Sequence, residues 1–139
     1  MTLISSKVLE SVISREKNNN GAIFTVKSLT TNKDYTYRIS RKEYNGRWFT
    51  FVKVEKGYLN FTYLGSYFKG GLFKKRDRVE TPAAKAIGFV LDKVEKGKTE
   101  WLDTKLEVSH EGSCLVCGKT LTDAVSIEKG IGPVCSKNL

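Results

Sequence analysis

Between Ala22 and Phe73 the side chains fall into a period of two, and this limits what the chain can fold into more than any other feature. Phe24 and Val26 alternate with Ile23, Thr25 and Lys27. After Thr31-Asn32-Lys33-Asp34, the residues Tyr35, Tyr37 and Ile39 alternate with Thr36 and Arg38. Tyr44-Asn45-Gly46 then supplies the Asn-Gly pair that suits the left-handed positions of a tight hairpin. A third strand is expected from Arg47 to Glu55, and Lys56-Gly57 turns it into a fourth from Tyr58 to Leu64. Four strands joined by short turns predict an antiparallel meander with one dry face and one open face.

Helical patterning flanks this stretch. Ile4, Val8, Leu9, Val12 and Ile13 make the stripe of an amphipathic helix over residues 3–16, with Ser5 or Ser6 as its cap and Lys17-Asn18-Asn19-Asn20-Gly21 as its end. Thr81-Pro82 opens a second helix with a capping residue and a first-turn proline. Its apolar face is Ala83, Ala86, Ile87, Val90, Leu91 and Val94, and Lys96-Gly97 closes it. The expected fold is therefore α+β: a four-stranded antiparallel sheet with one or two packed helices over residues 1–100. Residues 101–139 form a docked C-terminal module, with Trp101, Leu102, Leu106 and Val108 at the junction.

All three cysteines lie in that last segment, and the single histidine precedes them, in the order His110-x3-Cys114-x2-Cys117-x17-Cys135. Two thiolates two residues apart converge from a tight turn, and Gly118 suits such a knuckle. Gly130-Ile131-Gly132-Pro133 bends the chain ahead of Cys135, where a short helical turn would lower the thiol pKa. A sulfur and imidazole set points to Zn2+, held in a treble-clef-like knuckle by Cys114, Cys117, Cys135 and His110. Asp123, Glu111, water or a partner molecule is the alternative fourth ligand. An odd cysteine count argues against a disulfide framework, and the absence of a βαβ pattern argues against a redox Cys-x-x-Cys.

The run from Cys114 to Cys135 also resembles the C-terminal finger of a family of small bacteriophage and bacterial proteins. That family shares Cys-x2-Cys-Gly, a Leu-Thr-Asp segment, a Ser, and Gly-Ile-Gly-Pro-x-Cys, which here are Cys114 to Gly118, Leu121 to Asp123, Ser126 and Gly130 to Cys135. Ala124 stands where proline is commoner and Lys119 where arginine is commoner. The resemblance implies a zinc finger in a phage-type protein, and it implies no activity.

Charge is divided as unevenly as the cysteines. Residues 1–80 carry 16 Lys and Arg against 7 Asp and Glu, whereas residues 81–139 carry 8 against 8, so the whole +9 excess lies in the first part. Twelve of the fifteen aromatics fall between Tyr35 and Phe73. Cations and rings in one region are what a polyanion partner needs. On the third expected strand Arg47, Phe49, Phe51 and Lys53 share one face, opposite Trp48, Thr50, Val52 and Val54. The rings could stack on bases while the cations meet phosphates; the alternative is that a helix covers this face and both phenylalanines are core. Arg38 and Arg41 add charge on the preceding strand. The stretch Gly65 to Arg78 reads as a flexible loop bearing Lys69, Lys74, Lys75, Arg76 and Arg78 around Gly70-Gly71, and it lacks the order of a P-loop.

The composition is that of a folded chain, and no run of eighteen apolar residues or secretory signal pattern is present, so a cytoplasmic setting without membrane contact is expected. The resemblance places that setting in an infected bacterial host. One histidine, already assigned to the metal, leaves no separate Ser-His-Asp or Cys-His arrangement, so a non-enzymatic protein is expected. A zinc with an open position and Glu111 as base is the enzymatic alternative. Nucleic acid is the expected partner, and an acidic host protein surface that the chain would modulate is the rival.

Overall fold

The computed structural model describes residues 2–14, 19–58, 60–110, 112, 114–115, 120–122 and 124–130. The chain is α+β. Among the described residues, eight strands form one sheet in the order β1-β8-β2-β3-β4-β5-β6-β7, antiparallel at every described pairing. They are β1 Thr2–Ile4, β2 Asn19–Ser28, β3 Asp34–Tyr44, β4 Arg47–Glu55, β5 Phe61–Phe68, β6 Gly71–Lys74, β7 Asp77–Arg78 and β8 Leu106–His110. The helices are a 3-10 turn Ser6–Val8, then α1 Leu9–Ser14, α2 Pro82–Glu95, α3 Thr99–Asp103 and α4 Ala124–Lys129.

The four expected strands are present as β2 to β5, with β5 starting at Phe61 because Tyr58 sits in the preceding turn, 89% exposed. Four more strands correct the expected sheet. The stretch Gly65 to Arg78 is not a flexible loop. Part of it completes β5, and the rest folds into two hairpins whose turns, Lys69-Gly70 and Lys75-Arg76, have φ values of 42°, 86°, 52° and 73°. Positive φ at both central residues gives a two-residue turn the twist that antiparallel strands need. Asn45-Gly46 does the same at 53° and 79°.

The N-terminal segment is likewise not one helix. Ser5 is extended and its Oγ accepts the Lys7 N–H, capping the 3-10 turn and leaving Thr2–Ile4 to pair with β8. Leu9, Val12 and Ile13 of the expected stripe are buried. The Asn19-Asn20-Gly21 end signal opens β2 instead, beside a register shift. β8 lies beyond the boundary at residue 100 and pairs with both β1 and β2, so the sheet spans that boundary.

Helix α2 starts where the sequence places it, with Thr81 Oγ1 accepting the Ala84 N–H at 3.3 Å. It buries Ile87, Val90, Leu91 and Val94 against β5 and β6 as part of a core that includes Phe24, Tyr37, Ile39, Val52, Val54 and Leu72. Each of these aliphatic side chains contributes about 1.5–3 kcal/mol by leaving water. Gly88 permits the close approach: a Cβ there would lie 3.1 Å from the Gly70 carbonyl oxygen. Tyr37 donates its hydroxyl hydrogen to the Ala83 carbonyl at 2.8 Å, and burial holds its phenol well above the usual tyrosine range. Burial and then its hydrogen bond to Glu95, at 2.8 Å, push Tyr67 the same way and tie β5 to α2.

Candidate nucleic-acid interface and metal-ligand region

A pleated strand sends successive side chains to opposite faces, so the registers fix which residues share the face away from the helices. One cross-strand row reads Arg38, Lys53, Tyr63, and the next reads Ser40, Phe51, Ser66, Phe73, Arg78. Lys42 stands opposite Phe49, and Tyr44 opposite Arg47. Tyr44, Phe49, Phe51 and Tyr63 form a continuous series of rings with centroids 5.9 to 6.4 Å apart, and Phe49 and Phe51 lie nearly parallel, 20° between planes. Phe49 is 36% exposed, Tyr63 37% and Tyr44 54%, while Phe51 is half-buried between its neighbours. The helices pack on the other face, so neither phenylalanine belongs to the core.

Cations surround the rings. Lys42, Arg47 and Lys53 are exposed, and Lys74 Nζ lies 5.9 Å from the Tyr63 centroid. Lys69 sits at the β5–β6 turn, 5.3 Å from Phe68, which is itself edge-to-face with Phe73. Lys75 and Arg76 occupy the β6–β7 turn, and Arg78 crosses the bare backbone of Gly71 while pairing with Glu80 at 3.5 Å. Arg38 passes over Gly21, where any Cβ would collide with its guanidinium arm. The register sets Arg38 directly opposite Lys53, a like-charge pair that costs stability in a sheet. Glu55 and, by parity on β3, Asp34 lie at that end of the same face.

Arg41 is the exception among the expected contacts. It has the parity of Tyr37 and Ile39 and therefore points into the helix-covered layer, only 7% exposed. Its Nη1 donates to the Ile13 carbonyl at 2.6 Å and to Thr50 Oγ1 at 2.8 Å, and its guanidinium lies 5.7 Å from the Trp48 ring centre. It joins α1 to the sheet and cannot meet a phosphate from there. Conversely, Lys42, Tyr44 and Tyr63 belong to the open face and were legible from the same alternation.

The expected metal-ligand region is described in part. Cys117 and Cys135 lie outside the described residues, as do the alternatives Glu111 and Asp123. Cys114 is fully buried beside Leu121, Val8 and Ile127. His110 ends β8 and is fully buried, with both ring nitrogens engaged by backbone: Nδ1 accepts the Gly112 N–H at 2.9 Å and Nε2 donates to the Ile127 carbonyl. Through these two contacts His110 joins β8 to α4. Gly130 packs on that ring, where a Cβ would lie 3.3 Å from His110 Cδ2, and its carbonyl accepts the Leu115 N–H at 2.8 Å. Among the described residues no group of three His, Cys, Asp or Glu side chains converges, and no helix is long and apolar enough to cross a membrane. Cys114, the first cysteine of the Cys-x2-Cys spacing in the sequence, is buried, and its thiol is a donor suited to a metal finger.

No curated protein and no solved structure matches the chain. Residues 105–139, which begin just before β8 and include every cysteine, are similar to DUF6011, a family of unknown function.

Proposed function

We propose that this is a non-catalytic, phage-type protein that binds nucleic acid with unpaired bases on the open sheet face and carries structural zinc at its C-terminus. The observation that carries the reading is the series Tyr44, Phe49, Phe51, Tyr63, left open to solvent and bordered by Lys42, Arg47, Lys53 and Lys74. Exposed rings in series give successive bases a surface to stack on, and bases must be unpaired to reach them. The cations meet phosphates, which explains why Arg38 and Lys53 are set opposite each other despite their repulsion. The proposed setting is the cytoplasm of a bacterial host.

Zinc would be held by the thiolates of Cys114, Cys117 and Cys135, with the fourth position filled by a group other than the engaged His110. It would supply folding energy around Cys114, whose cluster among the described residues is Leu121, Val8 and Ile127. Metal analysis of purified protein should find one zinc per chain, and Cys114→Ser should lose it, whereas His110→Gln should retain it. An absence of stoichiometric zinc overturns this part of the reading.

The binding test is fluorescence anisotropy with labelled single-stranded and duplex oligonucleotides across a salt series. Tight binding to single strands, weakening with salt by a log–log slope of roughly −0.7 per phosphate contacted, supports the proposal. No binding at low salt overturns it and leaves an acidic protein surface as the partner this face would fit.

A further inference from the structure

On the helix side of the molecule a second concavity opens between α2, α3 and the β2–β3 turn, with a volume of about 520 Å³. Its floor is hydrocarbon from Val26, Val90 and Leu106 together with the Tyr35 ring. Its wall is the pair Phe89 and Trp101, edge-to-face at 6.0 Å and each 44% exposed. Two large aromatics left open at a cavity mouth are costly surface unless something covers them.

The lip has one sign of charge. Lys33, Lys85 and Lys105 line the cavity, and among the described residues no carboxylate does. Lys93 lies 5.4 Å from the Phe89 centroid and 5.7 Å from that of Trp101, and Lys105 lies 6.0 Å from Trp101. Lys85 also meets Glu80 at 3.5 Å. Lys85, Lys93 and Lys105 belong to a part of the chain with no net charge excess, so their gathering here with Lys33 is a local arrangement.

We infer that this groove binds a small amphiphilic anion: a hydrocarbon body seated on Val26, Val90 and Leu106, with one acidic head held by the lysines of the lip. The volume is that of a small-molecule pocket. A nucleotide fits less well, because the polar edges of a base would face the aliphatic floor and lose their hydrogen bonds to water. The groove is on the opposite side of the sheet from the ring series, so this inference is independent of nucleic-acid binding.

Isothermal titration of the full-length protein with octanoate, nonanoate and decanoate, all below micelle-forming concentrations, tests it. Affinity should rise about fourfold per added CH2 while the floor is being filled. Decanol, with the same body and no charge, should bind at least tenfold more weakly than decanoate. The surface double variant Lys85→Glu, Lys105→Glu should weaken decanoate tenfold or more, and Ala86→Leu, which fills the groove, should do the same without touching its charge. Phe51→Ala should leave it unchanged. The inference is overturned by no measurable decanoate binding, by decanol binding as tightly as decanoate, by lysine variants of unaltered affinity, or by adenosine monophosphate binding more tightly than decanoate.

Discussion

The two faces of the sheet use the same kinds of residue for opposite purposes. Arg41 and Arg38 are three positions apart on β3, yet one is buried under α1 with its hydrogen bonds given to Ile13 and Thr50, and the other lies on the open face opposite Lys53. Tyr37 is enclosed in the core with its hydroxyl satisfied by Ala83, whereas Phe49 and Phe51 on the neighbouring strand lie outside it. Residue type does not assign the role. Parity along the strand does, because the helices cover one face only.

Exchanging the two arginines for methionine breaks this comparison most severely. Arg41→Met should cost about 3 kcal/mol of stability, since it removes charged hydrogen bonds and leaves the Ile13 carbonyl without that donor. Arg38→Met, on the half-buried open face, should cost less than Arg41→Met. Denaturant melts of the two variants measure this directly, and equal losses would mean that the faces are not distinct. Oligonucleotide affinity of the folded protein should respond in reverse, falling for Arg38→Met and holding for Arg41→Met.

Phe49→Ala and Phe51→Ala come next, each expected to cost about 1–3 kcal/mol of binding if bases stack on them. Loss of stability in place of affinity would transfer the rings to the core. Tyr37→Phe probes the covered face more gently, at about 1 kcal/mol for one hydrogen bond. Its titration has a definite sign: the folded-state pKa is raised, so the unfolded chain loses its proton first, near the ordinary tyrosine value of about 10. Stability should therefore hold below about pH 10 and fall above it, and alkaline melts of Tyr37→Phe should show a shallower fall. The smallest effect is expected for Lys53→Gln, which should reduce the salt slope of binding by roughly 0.7 and raise the melting curve slightly by relieving the repulsion with Arg38.

Much of this was readable in advance because β2 to β5 pair with their sequence neighbours, so alternation and the Asn45-Gly46 turn specify them locally. β6 and β7 were not, for two reasons. They are short, and Lys75-Arg76 turns the chain through left-handed conformations that neither residue favours, which leaves no compositional mark. β8 did carry a mark, since Leu106, Val108 and His110 alternate and are buried. Five residues of alternation do not reveal that their partners are β1 and β2, about a hundred and about eighty residues back along the chain. At the C-terminus, spacing grouped the cysteines with His110 as an expected set but could not show that the His110 ring is engaged by Gly112 and Ile127.

The placement of β8 between β1 and β2 also sets the order in which the protein can be completed during synthesis. The ribosome releases β2 to β5 early, and each can pair as it emerges, but the outer edge of β2 has no neighbour until residue 110 has been made. At ordinary rates of about 5–20 residues per second, that interval from the end of β2 lasts roughly 4 to 16 s. Throughout it, Phe24 and Val26 belong to an unfinished sheet edge open to pairing with another nascent chain. The nascent protein is thus most exposed to aggregation before its cysteine region has been translated, and closure of the sheet comes only as that region is about to be made.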